Sequence, residues 1–282
     1  MTRADPGRGR RRPSKKPSLR VERALQRDGH RLLAGMDEVG RGALAGPVSV
    51  GVVVIDETVR SAPAGVKDSK LLTERARTAL VPRLRRWALA HAVGHAGPDE
   101  IDEFGIMIAL RLAGTRALAA IDLVPDLVIL DGNHDWLTPP TEVGLFAFGA
   151  TETSTSARRL PPVTTMVKAD LKCSSVAAAS VLAKVERDEL MVQLDAQHPD
   201  YGWSLNKGYA APEHMDAIAR LGPCELHRRS WRLPSQTGIR TGIPAGADTP
   251  HSAAGVTSGV GDDEMVQALE PTASEQTGTA IT

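Results

Sequence analysis

The sequence predicts an α/β domain: a mixed sheet flanked by helices, with a helical extension at its C-terminal end. Three observations predict it. Short apolar runs alternate with longer segments of helical pattern, as in a layered α/β fold. The first two runs, Leu32–Asp37 and Pro47–Ile55, are joined by a short turn holding Gly40-Arg41-Gly42 and Gly46-Pro47, so they should pair antiparallel. From Ser174 onward only helical patterns appear.

Each element has a local reason. Leu32–Asp37 is apolar up to its carboxylate, and Pro47–Ile55 contains a run of Val broken by one glycine. Thr73 is a suitable N-cap for a helix to about Arg86. Trp87–Ala96 reads as a third strand. Pro98 suits the first turn of a helix reaching about Ile121. Leu127–Leu130 is a short apolar strand ending at Asp131-Gly132, and Val163–Lys168 is another, ending near Asp170. Ser174 to about Gln197 is a long Ala-rich helix, and Pro212–Leu221 is a last helix stopped by Gly222-Pro223.

The domain is flanked by two polar tails. Residues 1–20 carry eight Lys/Arg against one acid, and residues 235–282 carry one Arg against six acids. Both are expected to be disordered, which leaves 21–234 as the folded region. The net charge of zero hides this asymmetry. A basic arm suits nucleic acid, although a tail without a specific role would look the same. No run approaches the ~18 apolar residues of a membrane span, and the basic N-terminus lacks the apolar core of a secretory signal. The two cysteines, Cys173 and Cys224, suggest neither a disulfide framework nor a zinc site. A reducing cytoplasm fits, and a monomer is expected.

The chemistry sits in carboxylates. Asp37-Glu38, Asp131 and Asp170 each follow an apolar strand. Aligned strand ends would bring them to one sheet edge. Four acids at close range repel and are costly to desolvate, so the cluster implies a cation. Oxygen-only ligands favour hard ions, Mg²⁺ or Mn²⁺, over zinc. Neighbouring strand residues face opposite ways, so Asp37 and Glu38 should share a site only if the strand stops or bulges there. Taken singly, any of these acids is more commonly a turn or cap residue. His91 and His95, four apart in an apparent strand, lack a third ligand at a known spacing. Ser180 reads as packing in an Ala-rich helix face.

Gly35-Met36-Asp37-Glu38-Val39-Gly40-Arg41-Gly42, then Leu44-Ala45-Gly46-Pro47, resembles the N-terminal signature of bacterial ribonuclease HII, a type 2 ribonuclease H. Further blocks follow in that family's order. They are Lys67-Asp68-Ser69-Lys70-Leu71, Leu130-Asp131-Gly132-Asn133, Lys168-Ala169-Asp170 with the helix through Asp188, Lys207-Gly208-Tyr209, and His227-Arg228-Arg229-Ser230. The similarity spans about 30–232. Ala169 and Trp231 stand where the family often has Gly and Phe.

The resemblance implies a ribonuclease H-like fold. It also implies cleavage of RNA in RNA–DNA hybrids, and cleavage on the 5′ side of a single ribonucleotide in duplex DNA, leaving 3′-hydroxyl and 5′-phosphate ends. Asp37, Glu38, Asp131 and Asp170 would hold two divalent ions. Gly40, Arg41 and Gly42 would read the ribose 2′-hydroxyl through close backbone approach, and Tyr209 would stack on the neighbouring sugar. Lys70, Lys184, Lys207 and Arg228 are candidate phosphate contacts. A non-catalytic nucleic-acid-binding module of the same fold is the alternative, but it would be expected to lose an acid. A P-loop reading of Gly40–Gly46 fails because the loop lacks Gly-Lys-Ser/Thr and joins two strands.

Overall fold

The structure, a computed structural model, describes residues 16–139 and 160–234. Most of the expected basic arm and all of the expected acidic tail lie outside the described residues. Residues 16–20, expected within the arm, carry a bridge from Ser18 to Cys173 and the start of the first helix.

Five strands form one sheet in the order β3-β2-β1-β4-β5. β1 (Leu33–Val39) pairs antiparallel with β2 (Val48–Ile55), and β2 pairs antiparallel with β3 (Ala90–Ala96). On the other side β1 pairs parallel with β4 (Leu127–Asp131), which pairs parallel with β5 (Val163–Met166). The predicted mixed sheet is therefore observed, with its antiparallel half at the first hairpin. β1 and β2 are buried on both faces, so apolar residues occupy both phases of the strand period.

Helices cover each face. α2 (Glu74–Trp87) and α5 (Ser174–Asp195) pack on Leu33, Val53 and Ile55. α3 (Pro98–Phe104) and α4 (Ile106–Ala119) pack on Ala34, Met36, Val50, Val52 and Val128. The single helix expected over 98–121 is thus two. Gly105 separates them at φ +79°, a left-handed turn that an α-helix cannot contain. α5 belongs to the sheet layers, and the C-terminal addition is α6 (Trp203–Asn206) with α7 (Pro212–Leu221). These two cluster around Tyr201, Trp203 and Ile218, with Leu44 and Ala45 from the β1–β2 loop.

α1 (Arg20–Arg27) had no sequence signal, because it is short and highly polar. It is anchored by its buried Glu22, whose Oε1 accepts from both N and Oγ of Ser175, 3.0 Å each, at the N-terminus of α5. A carboxylate there satisfies open backbone donors and complements the helix dipole.

A core with few aromatics is thin, and α5 lies close to β1. A Cβ on Gly35 would sit 2.4 Å from the backbone nitrogen of Val176 and 2.6 Å from Ser175 Oγ. Gly35→Ala is therefore expected to cost about 3 kcal/mol through overpacking against backbone. The reading is a urea midpoint, and an unchanged midpoint would show that α5 can slide.

Candidate active site

β1 and β4 run parallel with Met36 opposite Leu130. The next residues are Asp37 and Asp131, so two carboxylates leave adjacent strands at the same level. Alternation places both on the α5 face, with Leu33 and Ile129. Asp37 is 7 % exposed, and its Oδ1 accepts from the Glu38 backbone N–H at 2.9 Å. Asp131 Oδ1 accepts from Ala169 N–H at 2.6 Å, which ties β4 to the turn carrying Asp170.

Two expectations about this edge are corrected. β1 neither stops nor bulges at Asp37. Its pairing continues regularly through Asp37↔Gly51, Glu38↔Val50 and Val39↔Ser49. Glu38 consequently lies on the opposite face and meets the others around the sheet edge. Asp170 does not end β5. The strand stops at Met166, Lys168 turns left-handed at φ 58°, and Asp170 sits in a 3-10 turn spanning Ala169–Leu171.

The electrostatics still join all four acids. Burial first, then the charges of Glu38, Asp131 and Asp170, holds the Asp37 carboxyl well above its ordinary range, against a hydrogen bond from Ser180. Burial likewise raises Glu38, helped by Asp131 and opposed by Arg41, whose Nη1 lies 3.5 Å from Glu38 Oε1. Asp170 is pushed up to about 6 by burial, then by Asp131 and Asp68, with Lys70 opposing. Lys70 is raised despite its own partial burial, because Asp37, Asp68, Asp170 and Glu38 all face it. This is an acid-rich pocket short of positive charge. Its donors are all oxygens, which suits a hard divalent cation.

Ser69 and Ser180 were not singled out as site residues. Ser180 Oγ and Ser69 Oγ share a hydrogen bond at 2.9 Å, so α5 and the Asp68-Ser69-Lys70 turn meet beside Asp37. Only contact across the fold reveals them.

The loop from Gly40 to Pro47 is held by two buried arginines. Arg228 Nη2 donates to Gly40 O at 2.6 Å and Gly46 O at 3.1 Å, Nη1 to Arg41 O at 2.8 Å, and Nε to Gly46 O at 3.2 Å. Arg187 Nε donates to Pro47 O at 2.8 Å, and its Nη1 to Lys207 O at 3.0 Å. Arg228 was expected to contact phosphate. It is instead fully buried, and its fork is committed to backbone carbonyls. Gly40 has φ +81°, and a Cβ there would lie 2.0 Å from Arg187 Nε, so both conformation and space demand glycine.

Tyr209 lies over this segment. Its hydroxyl accepts from Gly40 N–H at 3.2 Å, and the Arg187 guanidinium lies 5.4 Å from its ring centre. Lys184 Nζ lies 5.8 Å from the same ring but pairs with Asp188, which also meets Arg77. Lys207 Nζ donates to Ser204 O. Lys70 keeps access to solvent while facing the acids. Of the four expected phosphate cations, Lys70 is therefore the best placed.

A buried histidine pair supports Tyr209 from behind. His214 Nδ1 donates to Tyr209 O at 2.8 Å, and its Nε2 accepts from Trp203 Nε1 at 3.0 Å. His227 Nε2 then donates to His214 Nε2 at 3.2 Å, and His227 Nδ1 accepts from Cys224 N–H at 3.1 Å. Both rings are neutral in this arrangement. Burial, then His214, pushes His227 down to about 4, and burial lowers His214. A histidine depressed when folded contributes stability above pH ~6.5 that is lost as pH falls toward about 4. Asp170, raised when folded, contributes with the opposite sign as pH falls below about 6. The expected result is that His227→Gln flattens the acid limb of a stability–pH curve recorded without metal. An identical limb in both proteins would refute the assignment.

Comparisons with known proteins agree with this architecture. The family model described as "Ribonuclease HII" matches residues 34–233. The ribonuclease HII of Streptomyces avermitilis is 45% identical over 220 residues, covering 78% of this chain and 85% of that protein. That of Streptomyces coelicolor is 44% identical over 220 residues, with the same coverage of each chain. The crystal structure of ribonuclease H2 from Pyrococcus horikoshii superposes with a TM-score of 0.54 at 28% identity, covering 71% of this chain and 93% of that one. Among the described residues no helix is long and apolar enough to cross a membrane. With the family model matched over residues 34–233 and a curated relative 45% identical over most of both chains, the chain belongs to the ribonuclease HII family and is a ribonuclease H.

Proposed function

We propose that this enzyme cleaves the RNA strand of RNA–DNA hybrids, and cuts on the 5′ side of a single ribonucleotide embedded in duplex DNA, leaving 3′-hydroxyl and 5′-phosphate ends. One observation carries the reading: the buried carboxylates adjoin a glycine segment whose carbonyls are fixed by Arg228. Such a segment can bring backbone against a ribose, and the 2′-hydroxyl is the group that separates RNA from DNA at one nucleotide.

Asp37, Glu38, Asp131 and Asp170 would hold two divalent ions, Mg²⁺ or Mn²⁺, which when bound activate the attacking water and stabilise the leaving oxygen. The chain's own groups do the positioning. Ser180 and the Glu38 N–H orient Asp37, and Ala169 N–H orients Asp131. Lys70 offers a cation beside the acids for a phosphate oxygen. Arg41 is half exposed and can turn from Glu38 toward the backbone of the nucleic acid. Tyr209 presents its ring for the adjoining sugar, with its hydroxyl on Gly40.

The test is a DNA duplex with one embedded ribonucleotide, incubated with and without Mg²⁺ or Mn²⁺, with the cut mapped at nucleotide resolution. A metal-dependent cut immediately 5′ of the ribonucleotide, and none in the all-DNA duplex, is expected. Equal cleavage of both duplexes would end the reading.

A further inference from the structure

Among the described residues, one group of His, Cys, Asp and Glu side chains brings three donor atoms within 4.8 Å of one another, and it is not the acidic site. It consists of His198, just past α5, and Cys224 and Glu225, in the segment after α7. We propose that these three residues form a second metal site, for a single zinc-class transition ion, that ties the segment carrying Arg228 to the end of α5.

The donor chemistry differs in kind from that of the carboxylates. A thiolate with an imidazole selects Zn²⁺-like ions, whereas an all-oxygen set selects Mg²⁺ or Mn²⁺. The spacing fits as well. His198 Nε2 and Glu225 Oε1 are 3.2 Å apart. Nitrogen and oxygen ligands on a tetrahedral zinc, at about 2.0–2.1 Å from the metal, are separated by about 3.3 Å. The sulfur, within 4.8 Å of both, would need to close in to about 3.5 Å from each, a shortening of at most about 1.3 Å per pair that rotation of the cysteine and the exposed Glu225 side chain can supply.

The surroundings supply the rest. Cys224 Sγ lies 3.2 Å from His227 Nδ1, which also accepts the Cys224 N–H at 3.1 Å. In the metal-free site that nitrogen faces the thiol, a contact that binding gives up as the thiol proton leaves, and the fourth position is left to water. His198 is fixed by the Trp203 ring, 5.4 Å away between centres. Glu225 is exposed, which provides an entry path from solvent. Binding displaces the thiol proton to solvent and replaces it with the metal. Cys173 cannot substitute, being fully buried with its sulfur 3.8 Å from that of Met166.

The consequence is structural. Cys224 precedes by four residues the arginine that holds Gly40, Arg41 and Gly46. A metal here would brace the clamp of the glycine segment without touching the reacting atoms. This inference is independent of the substrate proposed above.

Cobalt(II) is the probe. Full-length protein, stripped with chelator and kept reduced with a phosphine, is titrated with Co²⁺ and followed by absorption. A thiolate-to-cobalt charge-transfer band saturating at one equivalent is expected. Cys224→Ser should abolish the band, and Glu225→Gln should weaken binding about tenfold. Glu225 is exposed, so the second variant tests the site even if the first folds poorly. Asp37→Asn should retain the band, which separates this site from the acidic one. Zn²⁺ should raise the melting temperature of the parent protein but not of Cys224→Ser. Absence of the band in the parent protein, its persistence in Cys224→Ser or its loss in Asp37→Asn would overturn the proposal.

Discussion

Asp37→Asn is expected to abolish cleavage while raising the melting temperature of the metal-free protein. The two effects share one cause. The Asp37 carboxylate is buried, and three other carboxylates bear on it, so its ionised form is destabilising in the absence of a cation. Asparagine keeps an oxygen to accept the Glu38 N–H and removes the charge. Relief of about 1 kcal/mol corresponds to about 2–4 °C in a chain of this size. The same change removes a carboxylate oxygen proposed to hold metal, and a loss of at least ~10³ in kcat, about 4 kcal/mol of barrier, is expected. Thermal denaturation in chelator and cleavage of a hybrid in Mg²⁺ or Mn²⁺ measure the two together. A variant that is inactive because it is unfolded would show a lower melting temperature, so the signs distinguish the causes. Duplex affinity should be nearly unchanged, since the residues proposed to contact the nucleic-acid backbone, Lys70 and Arg41, are untouched. Undiminished activity would remove Asp37 from the mechanism.

The second large effect falls on a residue remote from the reacting atoms. Arg228→Met is expected to cost about 3–5 kcal/mol of stability, a large share of the 5–15 kcal/mol typical of a folded domain. Arg228 is buried and hydrogen-bonds the carbonyls of Gly40, Arg41 and Gly46. Methionine fills the space and takes the guanidinium donors from the Arg41 and Gly46 carbonyls, at about 1–3 kcal/mol for each one that water cannot reach, whereas Gly40 O still accepts from Ala43 N–H at 3.2 Å. The energy of burying the cation, which pushes Arg228 down to about 9, offsets part of that loss. Arg228→Lys keeps a charge but lacks the planar fork, so it should fold and still misplace the segment. A shift of about 1 Å there should lower kcat about 100-fold on a duplex with one embedded ribonucleotide. Urea denaturation and single-turnover cleavage are the readouts. If Arg228→Met leaves both the urea midpoint and kcat unchanged, the clamp has no role.

Much of this protein was legible along the chain, because strand period and turn chemistry are local. The run through Val48–Ile55, the glycine turn before it and the N-cap at Thr73 each specify their own element. The four acids were legible too, since each follows an apolar run on β1, β4 or just past β5. Local signals failed where the cause lay in another part of the fold. α1 is short and polar, and it stands because Glu22 finds the N-terminus of α5 about 150 residues away. Gly105 breaks a pattern that reads as one helix, and nothing in the periodicity marks its positive φ.

Roles divided the same way. Sequence alone determined which residue types are present and which strands carry them, hence an oxygen-only site and a glycine segment beside it. Tertiary structure decided what each side chain meets. It turned Arg228 from a surface cation into a buried clamp, placed Ser180 against Asp37, and brought His198 to Cys224 and Glu225 across 26 residues of chain. The physical reason is range. Hydrophobic period and capping act within a few residues, whereas burial, charge coupling and ligand geometry depend on atoms that only the folded chain brings within a few ångströms.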